Sequence, residues 1–571
     1  MDLKKKYPRK FLKKGENMGN PKAIRAAYSR LDKMPMGDKM ETARFCEAWG
    51  EAVSGIFEVF ARSYWAVTTD TRDKKAEKEY SRLAEEVIPL QEELDDKVKR
   101  RLLKAKKEWV PKDLAVFRTK AEWAVKLYRE ENLPRVGENI KLANEYQRLV
   151  SEWQTEFDGK RRTASQLRPY LEKPDRKLRE KAWRARMKMQ ADDCAKLDAL
   201  FDRMLVVRNQ MAKAAGLPDY VEYQYRRYSR LSYDRKDAEK FRAAIHKYVV
   251  PAASMIFERR RKMLRLPTIR PWDLAANPDG ADPPKVYRDI PDLKAKAVKV
   301  LGAVDPEFAE AFTLLDKKGY LDLENRPGKA PGAYCNDYAE ERMTVIFCNS
   351  VGTSGDFDTL MHEGGHAIHG LMCRDKNAMA RDVPLEFAEL ASMAMEKLSR
   401  PHWNMVYNKK DEVRIKRQQL ETAMTFLPFM AMLDEFQAWV YSDPKGARAA
   451  ERSKFWAGLE KKYRPHIDWS GLEQEEGMGW QYNHVYTVPL YYIEYGIAQV
   501  GALQVFLRSK RDYEKAVKDY KKGLSLGCTV GLPELYKAAG IKLVMKEPDI
   551  LGKVVGGIMG EVGLARYPGG L

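Results

Sequence analysis

Apolar residues recur three or four positions apart among Lys, Arg and Glu along most of the chain, which is the period of an amphipathic helix. This period predicts helices over Glu41–Ala66, Lys74–Lys107, Lys112–Glu130, Gly137–Phe157, Asp175–Ala215 and Lys236–Leu264. The clearest β-like run is Arg342–Ser350. Pro and Gly cluster at Leu266–Val286 and Arg326–Gly332, and these clusters predict loops. The pattern as a whole predicts a mainly α protein.

The segment Met361–Gly370 holds three of the seven histidines, with a glutamate beside the first of them. His362 and His366 are four residues apart, so on a helix their side chains point about 40° from each other, one turn apart. Two imidazoles in this arrangement can bind one metal ion. Glu363 can then reach a water on the metal and act as a general base. The alternative is a solvated helix face that carries these residues without a metal.

The residues around this motif predict how its helix begins and packs. Gly352 to Asp356 supply turn formers, a hydroxyl cap and an early acid, which are typical of a helix start. Gly364 and Gly365 each weaken a helix by about 1 kcal/mol relative to Ala, so they predict close approach by a neighbouring backbone or by substrate. His369 lies two turns beyond His362 near the same face, and we interpret it as a wall of the site or a support for a ligand.

A catalytic zinc site usually has three protein ligands and one open position, so a third ligand should come from another element. Pro384–Leu398 is a strong helix former with three acids, Glu386, Glu389 and Glu396. Glu389 and Glu396 share a partly apolar stripe, where a carboxylate needs a partner. We expect Glu389 to be the third ligand and Glu396 to orient a ligating imidazole. A solvated helix face is again the alternative.

These residues resemble the oligoendopeptidase F and thimet oligopeptidase group of zinc metallopeptidases. His362–His369 fits the zinc helix of that group. Phe387–Ser392 resembles the segment that supplies its third ligand, which selects Glu389 over Glu386. Similar segments continue from about residue 175 to residue 552. The resemblance implies one Zn²⁺ per chain, bound by both histidines of the motif and by Glu389.

The resemblance also implies a fold and a function. The implied fold is mainly α and thimet oligopeptidase-like, with two helical lobes, a deep substrate groove and one small β-sheet near the zinc helix. We expect a helical lobe over 1–174, a metallopeptidase region over 175–555 and a tail over 556–571. The implied activity is endopeptidase cleavage of short oligopeptides, with Glu363 as general base. A dipeptidyl carboxypeptidase of the same family is the alternative, and a non-catalytic peptide-binding helical protein is a third possibility.

A second chemically dense segment, Trp480–Gly496, places one histidine among several tyrosines. By itself this composition indicates core packing of aromatic rings. The resemblance implies instead that His484, Tyr492 and Tyr495 stabilise the tetrahedral intermediate through hydrogen bonds. Tyr491 pairs with Tyr495 on a helix as well as Tyr492 does, so the identity of the donor tyrosine stays open.

The β-like run at Arg342–Ser350 comes shortly before the zinc helix. We interpret it as the edge of a sheet, where an extended peptide could add through main-chain hydrogen bonds. A buried structural strand is the alternative interpretation.

The net charge of +20, from 103 basic and 83 acidic residues, raises the question of a nucleic-acid partner. The basic residues interleave with acidic ones on helix faces, and no nucleic-acid module is recognisable, so we expect a solvated surface and no nucleic-acid partner. Attraction of acidic peptides is a weaker possibility.

The six cysteines are sparse and form no CxxC pair, so we expect reduced thiols, although Cys335 and Cys348 could pair across a hairpin. The basic start has no apolar stretch behind it, and no run is long enough to span a membrane. These features predict a cytoplasmic enzyme without a membrane partner.

Overall fold

The computed structural model describes residues 2–279 and 284–564. The chain divides into two compact units. The first unit comprises residues 1–126, 283–414 and 501–543, and the second comprises residues 127–282, 415–500 and 544–571. Each unit is therefore assembled from three separate stretches of sequence.

The prediction of a mainly α protein is confirmed, because helices cover most of the described residues. The α-helices are, in chain order, α1 Pro21–Asp32, α2 Lys39–Thr69, α3 Lys74–Arg82, α4 Ile88–Lys104, α5 Ala115–Leu127, α6 Leu133–Ser151, α7 Arg168–Leu171, α8 Arg176–Asp192, α9 Cys194–Ala214, α10 Tyr220–Arg227, α11 Arg235–Ala244, α12 Val250–Met263, α13 Ile290–Val304, α14 Pro306–Lys317, α15 Ser354–Met372, α16 Leu385–Ser399, α17 Lys409–Ser442, α18 Ala449–Tyr463, α19 Glu473–Gly477, α20 Asn483–Thr487, α21 Ile493–Ser509, α22 Tyr513–Leu524, α23 Leu532–Ala538 and α24 Ile550–Glu561. One π-helical turn, Leu83–Val87, joins α3 to α4, and another, Ile245–Val249, joins α11 to α12.

The helix predicted over Gly137–Phe157 ends six residues early, at the end of α6. Its last residues instead form β1, Gln154–Phe157, which pairs antiparallel with β2, Lys160–Thr163. The turn residues Asp158 and Gly159 both have positive φ, 55° and 66°, as a two-residue hairpin turn of the Asp-Gly kind requires. This hairpin forms a second small sheet in addition to the one expected from the sequence.

The sheet that packs against α15 has three strands, β3 Leu321–Glu324, β4 Tyr334–Tyr338 and β5 Met343–Ser350. Their order is β3-β5-β4, with β5 parallel to β3 and antiparallel to β4. The expectation that the run at Arg342–Ser350 forms a sheet edge is wrong, because β5 is the central strand and its first six residues are all buried. The edge strand on the other side of β5 from β3 is β4.

The segment predicted as one helix over Asp175–Ala215 is two helices, α8 and α9, which break at Asp193. The Asp193 carboxylate accepts hydrogen bonds from the ammonium group of Lys196 and from the indole of Trp153. A short acidic side chain that bonds outside the helix in this way competes with helical hydrogen bonding.

The second unit includes residues on both sides of the boundary predicted between 174 and 175. The tail predicted from residue 556 begins within α24, and residues 565–571 lie outside the described residues. Both boundaries stay predictions. None of the described helices is long and apolar enough to cross a membrane.

Candidate metal centre

The helix that carries the two histidines, α15, begins where the sequence predicts. Thr353 and Asp356 form a capping box at its first turn. The Asp356 carboxylate also accepts the backbone N–H groups of Val351 and Gly352 at 2.9 and 2.8 Å, and the Tyr287 hydroxyl donates to it at 2.6 Å. These contacts fix the loop after β5 and therefore the start of α15.

Three side chains from α15 and α16 converge in the first unit. Nε2 of His362 lies 3.5 Å from Oε2 of Glu389, and Nε2 of His366 lies 3.8 Å from the same oxygen. One potential ligand atom from each residue lies within 4.8 Å of the others. Ligand atoms about 2.1 Å from a tetrahedral zinc are about 3.4 Å apart, so a small contraction would place all three atoms around one ion. Two imidazoles and one carboxylate also match a donor set of catalytic zinc sites.

The orientation of His362 is fixed by Glu396. Oε1 of Glu396 lies 2.8 Å from Nδ1 of His362. Burial raises the pKa of Glu396, but the charges of Lys397 and His362 outweigh burial and bring this pKa down to about 2. The ionised carboxylate therefore accepts a hydrogen bond from Nδ1, which directs Nε2 toward Glu389 as a second carboxylate behind a metal ligand does.

The electrostatics of this cluster favour a cation between the ligand atoms. Burial lowers the pKa of His362, but hydrogen bonds to Glu389 and Glu396 outweigh burial and raise this pKa to about 10. Burial and the charge of His362 lower the pKa of His366 to about 4, so this imidazole is neutral, which is the form that binds metal ions. The carboxylates that attract a proton to His362 would equally attract a metal ion. The residues present fit zinc.

Glu363 lies beside the first ligand histidine in sequence but is not one of the three converging residues. Its side chain is buried, at 7% exposure. Burial raises the pKa of Glu363 to about 7, although the backbone N–H of Cys335 in β4 acts in the opposite direction. A carboxyl group with a pKa near neutrality can both accept and return a proton, as a general base and acid must.

Close backbone approach is found at one of the two glycines between the ligand histidines. A Cβ added to Gly365 would lie 2.6 Å from Cα of Ser392, 2.9 Å from the carbonyl oxygen of Ala391 and 2.9 Å from Cβ of Met395. A Cβ added to Gly364 would meet no atom within 4 Å. The absence of a side chain at Gly365 therefore lets α15 and α16 pack closely enough for their candidate ligand residues to converge.

His369 lies in the interior between α15 and α16, at 3% exposure, with its ring edge-on to Phe387 at 5.6 Å. Burial lowers its pKa to about 3, and its Nε2 has no hydrogen-bond partner among the described residues. The structure thus places His369 in the packing between the two helices and outside the group of three converging residues.

His484, Tyr492 and Tyr495 lie in the second unit, in one aromatic cluster with Tyr482. The His484 ring stacks on that of Tyr482 at 5.4 Å and lies 4.7 Å from Tyr492 and 6.1 Å from Tyr495. Burial lowers the pKa of His484 to about 4, and Nδ1 finds no partner within the part of the chain that the structure describes. The ring of Tyr491 lies 5.1 Å from that of Tyr495.

Two buried arginines bind residues of the segment around His484, and neither could be identified from the sequence. Arg208 donates to the carbonyl oxygens of Val485, at 2.9 Å, and of Tyr486. Arg230 pairs with Glu494 at 3.0 Å, and the side chains of this pair are 0% and 1% exposed. The only sequence signal for Arg208 is its position in a segment that resembles the oligopeptidase group, because a single buried arginine leaves no periodic pattern.

Comparison with known proteins identifies the family of this chain. The sequence model of peptidase family M3 matches residues 169–552, which is more than half of the chain. The chain belongs to peptidase family M3. The match covers α15, α16 and the His484 segment, and it confirms the resemblance inferred from the sequence.

Proteins similar to this chain include oligoendopeptidases F. The chain is 22% identical over 406 residues to an oligoendopeptidase F homolog of Mycoplasma pneumoniae, covering 67% of this chain and 65% of that protein. It is 28% identical over 155 residues to the chromosomal oligoendopeptidase F of Lactococcus lactis subsp. cremoris, covering 27% and 25%. The chain thus matches less than two thirds of the length of either relative.

Solved structures match over nearly the whole chain. PZ peptidase A, solved with inhibitor 2, is 29% identical, with a TM-score of 0.88 over 97% of this chain and 99% of that one. A structure assigned as oligoendopeptidase F is also 29% identical, with a TM-score of 0.87 and the same coverage. These similarities agree with the mainly α fold of this M3 chain.

The contacts behind His362 lead to a prediction for this M3 chain. Lys397 has a buried side chain, 2% exposed, and donates to Oε2 of Glu396 at 3.0 Å. Lys397→Met would leave the Glu396 carboxylate buried without its counter-charge. We expect zinc affinity, measured by competition with a chelator, to fall about 10- to 100-fold, the range seen for changes behind a metal ligand.

A double variant tests whether Lys397 acts through Glu396. If it does, Glu396→Gln with Lys397→Met should bind zinc no more weakly than Glu396→Gln alone, because residues in one network are not additive. Losses that simply add would contradict this coupling. Lys397→Arg keeps the positive charge and should retain more zinc affinity than Lys397→Met.

Proposed function

We propose that this chain is a zinc-dependent endopeptidase that hydrolyses internal bonds of short oligopeptides. The observation that carries the proposal is the convergence of His362, His366 and Glu389, with Glu363 beside them and Glu396 behind His362. Membership of peptidase family M3 supports a peptide substrate.

Glu363 is the proposed general base. When bound at the three ligand residues, a zinc ion would lower the pKa of its water toward about 7 and polarise the scissile carbonyl. Glu363 accepts the proton of the attacking water and then passes it to the leaving amine. Burial, which raises the pKa of Glu363, supports this double role because it stabilises the protonated acid that the second step needs.

His484 and either Tyr492 or Tyr495 are the proposed donors to the oxyanion of the tetrahedral intermediate. The support for this role is the family resemblance, together with a partner-free Nδ1 of His484 among the described residues. One such donor typically contributes about 3 to 4 kcal/mol to transition-state stabilisation. Tyr492 is the nearer of the two tyrosines to the imidazole.

The edge strand β4 is the proposed binding site for the substrate main chain. An extended peptide can add to a free strand edge through backbone hydrogen bonds, which makes binding tolerant of side-chain identity. The backbone N–H of Cys335 in β4 lies close enough to Glu363 to influence its pKa. A peptide added to β4 would therefore lie beside the proposed general base.

A digest of a mixed peptide library, combined with zinc analysis of the purified protein, tests the proposal. We expect about one zinc ion per chain and cleavage at internal bonds. Each peptide is offered with a free and with an amidated C-terminus, because a dipeptidyl carboxypeptidase requires the free carboxylate and an endopeptidase cleaves both. Release of C-terminal dipeptides from free peptides only would favour the carboxypeptidase. Protein that binds no zinc, or cleaves nothing, would contradict the proposal.

A further inference from the structure

The helix α8 carries one arginine that differs from its neighbours in having no counter-ion. The other arginines of α8 form ion pairs with carboxylates: Arg176 and Arg179 with Asp273, and Arg184 with Glu180. Arg186 is exposed, and no described residue forms a hydrogen bond or ion pair with its guanidinium group. A guanidinium group carries five N–H donors in a planar fork that matches a carboxylate. Because no described residue uses the donors of Arg186, they are free to bind a ligand.

A second arginine without a counter-ion lies next to this one. Arg168 begins α7, which packs against α8, and Leu171 of α7 and Met187 of α8 pack against the same hydrophobic cluster. Arg168 is also exposed, and its side chain likewise has no hydrogen bond or ion pair within the described part of the chain. Although the residue as a whole is exposed, atoms packed around its guanidinium group partly desolvate it and lower the pKa of Arg186, and the positive charge of Arg168 lowers this pKa further. Two neighbouring guanidinium groups, neither of them paired with a described carboxylate, favour an anion.

The position of Arg186 in the second unit connects it with the aromatic cluster around His484. One helical turn beyond it on α8, Gln190 donates to the carbonyl oxygen of Met478 at 2.9 Å. This contact joins α8 to the segment that precedes Tyr482. The Tyr482 hydroxyl group raises the pKa of Arg186. The Tyr482 ring in turn stacks on that of His484. The arginine pair therefore lies beside residues for which we propose a role in the reaction.

We propose that Arg186, with Arg168 beside it, binds a carboxylate group of the peptide substrate and makes this chain prefer peptides that carry one. This inference rests on the proposed function, because it assumes that peptides bind next to His484. The carboxylate can be an acidic side chain or the free C-terminus of the peptide. Both present the same planar pair of oxygens, which a guanidinium group binds through two parallel hydrogen bonds.

Charge reversal at Arg186 tests the inference. The substrates are one amidated peptide with Glu or Gln scanned through its positions, and the same peptide with a free C-terminus. We expect Arg186→Glu to lower kcat/KM about tenfold or more for the preferred carboxylate-bearing peptide, since a hydrogen bond to a charged group is lost and a repulsion is added. The Gln and amide forms should change less, and the scan identifies which carboxylate is bound.

Arg184→Glu is the matched control, because it makes the same charge change on the same helix but at an arginine that is already paired with Glu180. It should leave the preference for carboxylates unchanged. The guanidinium group of Arg186 forms no hydrogen bond or ion pair with a described residue, so its replacement should change the melting temperature little. Equal substrate preferences in wild type and Arg186→Glu would overturn this inference alone. A wild type that cleaves none of the peptides would overturn the proposed function, and this inference with it.

Discussion

Glu363→Gln should lower kcat/KM for peptide cleavage about 10²- to 10⁴-fold while zinc remains bound at one ion per chain. The amide has the size and shape of the carboxylate but cannot accept the proton of the attacking water, and general acid–base catalysis typically contributes a factor in this range. The ligand residues His362, His366 and Glu389 are untouched by this change. Steady-state kinetics with a defined peptide and metal analysis of the same preparation check both halves of the prediction.

Glu389→Gln is the comparison that separates proton transfer from metal binding. It makes the same chemical change at a proposed ligand, so zinc affinity should fall together with activity. Glu363→Asp keeps the carboxylate but shortens the side chain, and should retain more activity than Glu363→Gln. Full activity in Glu363→Gln, or loss of its zinc, would show that Glu363 is not the general base.

The convergence of the candidate ligands could be anticipated from sequence because helical periodicity determines the arrangement of the two histidines locally. His362 and His366 face the same way on any α-helix, whatever surrounds it. Glu389 could be selected because the acids of Pro384–Leu398 form a stripe on a second helix and because the segment resembles a known one. The close packing of the two helices could be anticipated only in outline, from the two glycines. The structure shows that one of them, Gly365, lies at the contact.

Two errors in the strands had usable signals in the sequence. Asp158-Gly159 is a strong signal for a two-residue hairpin, and here it outweighs the helical period of the residues before it. Val345–Cys348 is an apolar run without alternation, which is typical of a strand buried on both faces. Alternation of apolar and polar residues would have been expected at a half-exposed edge.

The polar residues behind the candidate site could not be predicted from sequence. Arg208, Arg230 and Lys397 are almost fully buried, and each forms hydrogen bonds or ion pairs inside the folded protein. Tyr441 and Val485, which bind Arg208, and Glu494, which binds Arg230, lie more than 230 positions away in the chain. Lys397 is adjacent to Glu396 in sequence, but nothing local indicates that it is buried. Such residues become recognisable only when the packing of distant helices is known.

Gly365→Ala should weaken zinc binding strongly and lower the stability of the protein. The new Cβ would lie 2.6 Å from Cα of Ser392, which is backbone and cannot rotate away, so α16 must shift relative to α15. Such overpacking typically costs about 1 to 3 kcal/mol. Because α16 carries both Glu389 and Glu396, we expect zinc affinity to fall by at least about tenfold, as for other disturbances of ligand support. Chelator competition and thermal unfolding measure the two effects.

Gly364→Ala is the matched control for this change, since it gives the same gain in helix propensity, about 1 kcal/mol, at the adjacent position. A Cβ at Gly364 would meet no atom within 4 Å, so α15 and α16 can keep their spacing. We therefore expect unchanged zinc affinity and an equal or higher melting temperature in this variant. If Gly365→Ala binds zinc as tightly and unfolds at as high a temperature as Gly364→Ala, the helix contact at Gly365 does not determine the geometry of the ligands. The opposite behaviour of the two variants would establish that close packing at one glycine aligns His362 and His366 with Glu389.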